Sequence, residues 1–91
     1  MGAKRVRVLV SGQVQGVFFR AECASRARDL GLGGFVRNLA DGRVEAVYEG
    51  GPGDVDSMVE WCYTGPRWAH VEDVEVIDEE PRGETEFRIT R

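Results

Sequence analysis

The stretch Ser11-Gly-Gln-Val-Gln-Gly-Val-Phe-Phe-Arg20 decides the reading of this chain. It leaves an apolar strand end at Leu9-Val10, crosses Gly12 and Gly16, and reaches Phe18, Phe19 and Arg20 where a helical pattern begins. A strand passing through a glycine turn into a helix N-terminus aims several backbone N–H groups at one point, and the helix dipole adds partial positive charge there. Arg20, in the first turn of the predicted helix, brings a planar five-donor fork suited to a phosphate or carboxylate. No Lys-Ser/Thr pair follows the second glycine, so the stretch is not a nucleotide-binding P-loop and implies no Mg²⁺ ligand. On spacing alone it also describes an ordinary strand-to-helix connection with a solvated arginine.

Upstream, residues 4–11 alternate, with Val6, Val8 and Val10 on one face and Arg5, Arg7 and Leu9 on the other, which predicts a half-buried strand. Downstream, Phe19, Cys23, Ala27 and Leu30 recur at helical spacing with Ala24 beside them, and Gly31 is placed to end the helix. Residues 34–39 and the run from Arg43 predict two more strands. Asp41-Gly42 joins them as a hairpin, because glycine accepts the positive φ of a primed turn. Alternation sets Phe35, Arg37 and Leu39 against Val36 and Asn38. After Gly50-Gly51-Pro52-Gly53, Asp54 is the predicted N-cap of a second helix with Val55, Met58, Val59 and Cys62 as its core stripe. Trp61 and Tyr63 lie off that stripe, at the helix margin. Val71 to Asp78 predicts a fourth strand, its three-residue step from Val71 to Val74 marking a bulge, and Phe87 and Ile89 alternate in a short last strand. Asp78, Glu79 and Glu80 read as a solvated charge cluster. The order β-α-β-β-α-β plus a terminal strand predicts a ferredoxin-like α+β sandwich, residues 1–91 forming one domain with two helices on one face of an antiparallel sheet.

The string VSGQVQGVFFR, residues 10–20, resembles the signature of the acylphosphatase family: apolar, any, Gly, any, Val-Gln-Gly-Val, any, Phe, Arg, with every fixed position matched. GGFVRN, Gly33 to Asn38, resembles the family's second signature, with Phe35 where many members carry Trp. The resemblance implies a hydrolase that cleaves the carboxyl–phosphate bond of a small acyl phosphate, with inorganic phosphate as product and inhibitor, and it implies no cofactor. It assigns the catalytic pair to Arg20 and Asn38. The backbone N–H groups of Gln13, Val14, Gln15, Gly16, Val17 and Phe18 then form the phosphate cradle. By its residue type and place alone, Asn38 reads as a polar strand end beside a turn.

The remaining chemistry is sparse. A formal net charge of −4 argues against generic nucleic-acid binding, which needs a basic face, so an anion must be bound by a local preorganised site. No apolar run approaches a membrane span, and the N-terminus lacks the apolar core of a signal peptide; the expectation is a cytoplasmic monomer without a membrane partner. Cys23 and Cys62 fall on the apolar stripes of different predicted helices, as buried reduced thiols or as a helix–helix disulfide. His70, the single histidine, is far from the cradle in sequence and has no partner that would make it a base. No metal-ligand spacing and no Ser-His-Asp or Cys-His arrangement can be drawn. The alternative to an enzyme is a phosphate- or nucleic-acid-binding module of the same fold, since RNA-recognition domains share the element order.

Overall fold

The computed structural model describes residues 2–91. In chain order the elements are β1 (Lys4–Gln13), α1 (Phe19–Asp29), β2 (Gly33–Asn38), β3 (Val44–Gly50), α2 (Pro52–Cys62), β4 (His70–Glu79) and β5 (Phe87–Ile89). The five strands form one sheet in the order β4-β1-β3-β2-β5. Val6, Val8, Val10, Val36, Val44, Ala46 and Tyr48 of the sheet share a core with Phe19, Cys23 and Ala27 of α1 and with Val55, Met58 and Cys62 of α2. This is the ferredoxin-like α+β arrangement that the element order predicts.

α1 stops where the sequence predicts, for a backbone reason. Gly31 takes φ 73°, its N–H bonds the Arg28 carbonyl at 3.0 Å, and the Leu32 N–H bonds the Ala27 carbonyl at 2.9 Å. That paired pattern satisfies the last carbonyls of the helix and turns Leu32, 2% exposed, into the core. Leu30, expected on the core stripe, is instead exposed: it is the C-cap, where the helix already unwinds.

α2 starts earlier than expected. Its N-cap is Gly51 and Pro52 holds the first turn, so Asp54 lies inside the helix and caps nothing. Proline at this position supplies the helical φ and gives up an N–H that has no helical partner, and Asp54 then complements the dipole within the first turn. In the β2–β3 hairpin, Ala40 to Gly42 lie inside a 2.8 Å bond from the Leu39 N–H to the Arg43 carbonyl, with Gly42 at φ 97°. The connection is therefore a three-residue loop rather than a two-residue primed turn. The predicted bulge is present: the β1–β4 register slips between Ser11 and Gly12, whose partners are Asp73 and Val71.

The sheet is mixed, contrary to the antiparallel expectation, because β5 runs parallel to β2. β4 ends beside Arg5 at the end of the sheet where β2 begins, so a chain that crosses directly to the far edge enters β5 in the direction of β2. Charge holds this crossing in place. Glu49 of β3 accepts the backbone N–H groups of Arg82 (3.0 Å) and Gly83 (2.6 Å) and the guanidinium of Arg5 (2.9 Å). Arg5, 3% exposed, also donates to Glu79 at 2.9 Å and lies 3.3 Å from Glu84. Glu79 further accepts from Arg7 at 2.7 Å, so it belongs to a structured ion network and not to the solvated cluster expected of residues 78–80. Arg7 and Arg37 both reach Glu45, each at 2.6 Å.

Burial alone would raise the carboxyl groups of Glu45 and Glu49, yet both lie below the ordinary value because arginine side chains and, for Glu49, the Arg82 and Gly83 N–H groups outweigh it. Glu79 is lowered chiefly by its bonds from Arg7 and Arg5. A carboxylate lowered in the folded state contributes stability above its unfolded pKa, about 4.3, and loses it as pH falls through the folded value. The chemical-denaturation midpoint should therefore fall on acidification from pH 7 to pH 3, and more gently in Glu49→Gln than in the wild type. An unchanged midpoint across that range would contradict the network's role.

Candidate active site

One end of the sheet collects the residues singled out by the sequence. Gln13 ends β1 in register with His70, and Asn38 ends β2 opposite Val44, which also pairs with Val10 of β1. α1 begins at the same end. Between β1 and α1, residues 14–18 form the loop.

Each loop residue has a separate task. Val14 is 1% exposed and anchors the loop in the core, while Val17 packs against that core from its edge. Gln15 uses both hydrogens of its side-chain amide, donating to the carbonyls of Leu39 (2.7 Å) and Arg43 (2.9 Å), and so ties the loop to the hairpin that follows Asn38. Gly16 sits at φ 73°, a conformation that favours glycine. Phe18 caps α1 at φ 65°, ψ 18°, with no side-chain cap, and the residue is 73% exposed. A left-handed backbone costs an L-residue of this kind about 1–2 kcal/mol. Gln13 belongs to β1, so the loop proper begins one residue later than the predicted cradle.

The consequence is a bare helix N-terminus. The first N–H of α1 to find a helical carbonyl is that of Glu22, bonded to Phe18 at 3.1 Å. Among the described residues, no backbone N–H from Gln15 to Ala21 donates to a carbonyl in the loops or to a side chain. Unpaired donors in the first turn, aligned with the dipole, make an anion site. Gly16, Phe18, Phe19 and Ala21 line a cleft of about 300 Å³ there, together with Arg20 and Asn38. None of the ion pairs among the described residues engages Arg20.

Asn38 adds a feature that the sequence does not announce. Its Oδ1 is buried and has no hydrogen-bond partner among the described residues. An unsatisfied buried acceptor costs roughly 1–3 kcal/mol, so it marks a place where a donor from outside the chain would be stabilised. The structure thus brings Arg20, Asn38, Val14, Gly16 and Phe18 of the predicted site together along one cleft, while Gln13, Gln15 and Val17 do not line it. The Gln15 side chain ties the loop to the β2–β3 hairpin, a role that only the fold reveals.

The other candidates fall away from the cleft. His70, distant in sequence, is near the loop in space because it opens β4 opposite Gln13, but it does not line the cleft. Cys23 and Cys62 are free, buried thiols and form no disulfide; the Tyr48 hydroxyl lies between them, 3.1 and 3.2 Å from the two sulfurs. Burial pushes the Cys62 thiol up to about 12 and Cys23 higher still, so neither is a thiolate nucleophile at neutral pH. Among the described residues no group of three or more His, Cys, Asp and Glu is placed to hold a metal ion.

Fold and cleft together define a small α+β domain in which unpaired backbone N–H groups, a free guanidinium and an unsatisfied amide oxygen, an acceptor, stand at one cleft. The acylphosphatase family model matches residues 6–89. The chain is 64% identical over 80 residues to the acylphosphatase of Rubrobacter xylanophilus, covering 88% of this chain and 73% of that one. It is 53% identical over 89 residues to that of Haloarcula marismortui, covering 98% of both. The solved acylphosphatase of Coxiella burnetii superposes with a TM-score of 0.92 at 36% identity, covering 98% of this chain and 94% of that one. The chain belongs to the acylphosphatase family, a family of enzymes.

Gly16 tests the position of the anion site. Nothing lies within 4 Å of a Cβ built there, so the fold has room for a side chain, but φ 73° and the adjoining cleft do not. Gly16→Val should keep a cooperative thermal transition and lose detectable binding of inorganic phosphate by titration calorimetry. Wild-type phosphate affinity in this variant would place the anion site elsewhere.

Proposed function

We propose that this chain hydrolyses acyl phosphates to a carboxylate and inorganic phosphate without a metal, Arg20 and the loop N–H groups holding the phosphoryl group and Asn38 orienting water. The observation that carries the reading is the meeting, in one cleft, of the uncapped α1 N-terminus, the unengaged Arg20 and the unpartnered Asn38 Oδ1. An acyl phosphate is a mixed anhydride, and its carboxylate leaves readily without a general acid. What remains is to neutralise the phosphoryl oxygens, hold them, and place the nucleophile in line.

The backbone donors and the Arg20 fork meet the first two needs, because they are preorganised and lose little freedom when the charge redistributes. Asn38 Oδ1 accepts a hydrogen from the attacking water and so fixes its lone pair toward phosphorus. The new P–O bond forms as the bond to the acyl oxygen breaks. With no side-chain base at the cleft, the water's proton passes to an oxygen of the phosphoryl group itself. The reading takes the protein as a cytoplasmic monomer acting on a small molecule, with neither nucleic acid nor membrane as partner.

Competitive inhibition by phosphate separates the two roles. Arg20→Ala should weaken phosphate inhibition and lower kcat/KM together, and Arg20→Lys should fail almost as badly, because a point charge cannot make a two-pronged contact. Asn38→Ala should lower kcat by roughly 100-fold or more while phosphate inhibits about as well as in the wild type. If Asn38→Ala loses phosphate affinity as Arg20→Ala does, the assignment of water to Asn38 is wrong. Turnover should also survive exhaustive chelation; loss of activity that Mg²⁺ or Zn²⁺ restores would overturn the metal-free mechanism.

A further inference from the structure

We propose that the open edge of β4 is a docking site for an extended basic segment of another protein, which adds to the sheet as a further strand beside His70–Glu79. β4 is an outer strand, ten residues long, and pairs with β1 alone. Among the described residues, no loop backbone and no side chain bonds the peptide groups of residues 70–79 from the free side. An open edge presents unpaired N–H and C=O groups that a second extended chain satisfies. From Asp73 to Glu79 the pairing with β1 runs without a slip, so the template is regular beyond the bulge. The strand holds no proline and no lysine, residues that often blunt such an edge. The other outer strand, β5, has only three residues to pair with.

Charge selects the partner. Glu72, Asp73, Glu75, Asp78 and Glu79 lie in this strand, with no Lys or Arg among them. Glu79 is held by Arg5 and Arg7, while none of the ion pairs among the described residues engages the other four. Arg5 and Arg7, on the adjoining strand, are themselves taken up by Glu45, Glu49 and Glu79. Two copies of β4 laid edge to edge bring two acidic strands together, which repel. A strand with lysine or arginine at alternate positions is attracted instead.

The two faces of the strand set the partner's alternation. Val74, Val76 and Asp78 pair with Val10, Val8 and Val6 of the core, and so share the helix side of the sheet. Asp73, Glu75 and Ile77 pair with Ser11, Leu9 and Arg7 on the outer side. Val76, 41% exposed, and Ile77, 38% exposed, leave one apolar side chain open on each face near the middle of the template. The fitting segment therefore sets basic residues beside Asp73 and Glu75 and apolar residues beside Val74 and Val76. No residue of β4 lines the cleft of Arg20 and Asn38, so an added strand leaves that cleft open.

A capped hexapeptide alternating lysine and valine, titrated at low salt into the isotope-labelled protein, tests this. The expected result is saturable amide shifts and slowed amide exchange along residues 73–79, with the loop between β1 and α1 unperturbed. Binding should weaken several-fold at physiological ionic strength. Glu75→Lys and Asp73→Lys, both at exposed positions and each first shown to unfold cooperatively, should each weaken it about tenfold. The same peptide N-methylated at every residue keeps its charge but has no backbone donors, and it should not bind measurably. Equal binding of the methylated peptide, or wild-type affinity in both variants, would reduce the contact to general charge attraction and overturn the added strand. So would the absence of saturable shifts in β4, or a dimer paired through β4 in sedimentation equilibrium that the peptide does not dissociate.

Discussion

The fold leaves the first turn of α1 without an internal acceptor, and the site depends on that omission. Most helices close their first turn with a side chain from the N-cap. Here the N-cap is Phe18, whose ring cannot accept a hydrogen bond and whose left-handed backbone turns the loop sharply into the helix. Backbone donors from Gln15 to Ala21 are thus left without an acceptor among the described residues, and Arg20 and Asn38 line the cleft beside them. Every other part of the molecule can be understood as holding this arrangement still.

The support is distributed over the whole chain. Val14 and Phe19, buried on either side of the loop, fix its two ends in the core. Gln15 spans the gap to the β2–β3 hairpin and so couples the β1–α1 loop to the Asn38 strand. Phe19 packs on Trp61 of α2 with ring centroids 5.0 Å apart, carrying the constraint across the helix layer. At the far end of the sheet Arg5, Glu49 and Glu79 fasten the crossing chain that delivers β5, and with it Ile89, to the cleft. A buried ion network is a costly fastener unless every charge is paired, and here Glu49 meets two backbone N–H groups as well as an arginine.

How much of this was readable in the residues follows from the range of each interaction. Local periodicity sufficed for the helix stripes apart from Leu30, for the alternation of β1 and for the Gly31 stop, because each is decided by neighbours along the chain. The signature from Val10 to Arg20 pointed to the loop, and Arg20 and Asn38 do meet at one cleft. What escaped were features set by distant partners. Glu79 looks solvated until Arg5 and Arg7 of β1 are placed beside it. The direction of β5 depends on which end of the sheet β4 leaves, and nothing local to Phe87 or Ile89 encodes that. The early start of α2 is different: Pro52 at the head of a helix was a legible signal, and Asp54 drew attention from it. The left-handed backbone of Phe18 and the bare Asn38 oxygen had no sequence signal, and both residues line the cleft. Local rules fail where the chain stores strain or leaves a polar atom unpaired, and function is built from such places.

Backbone amide chemical shifts during titration with inorganic phosphate test the central claim most directly. The account predicts saturable shifts concentrated in Gln15 to Ala21, together with the Arg20 guanidinium, while amides along the outer face of the sheet stay in place. Saturable shifts centred on the arginines of that outer face, with the loop and the first turn of α1 unperturbed, would contradict it.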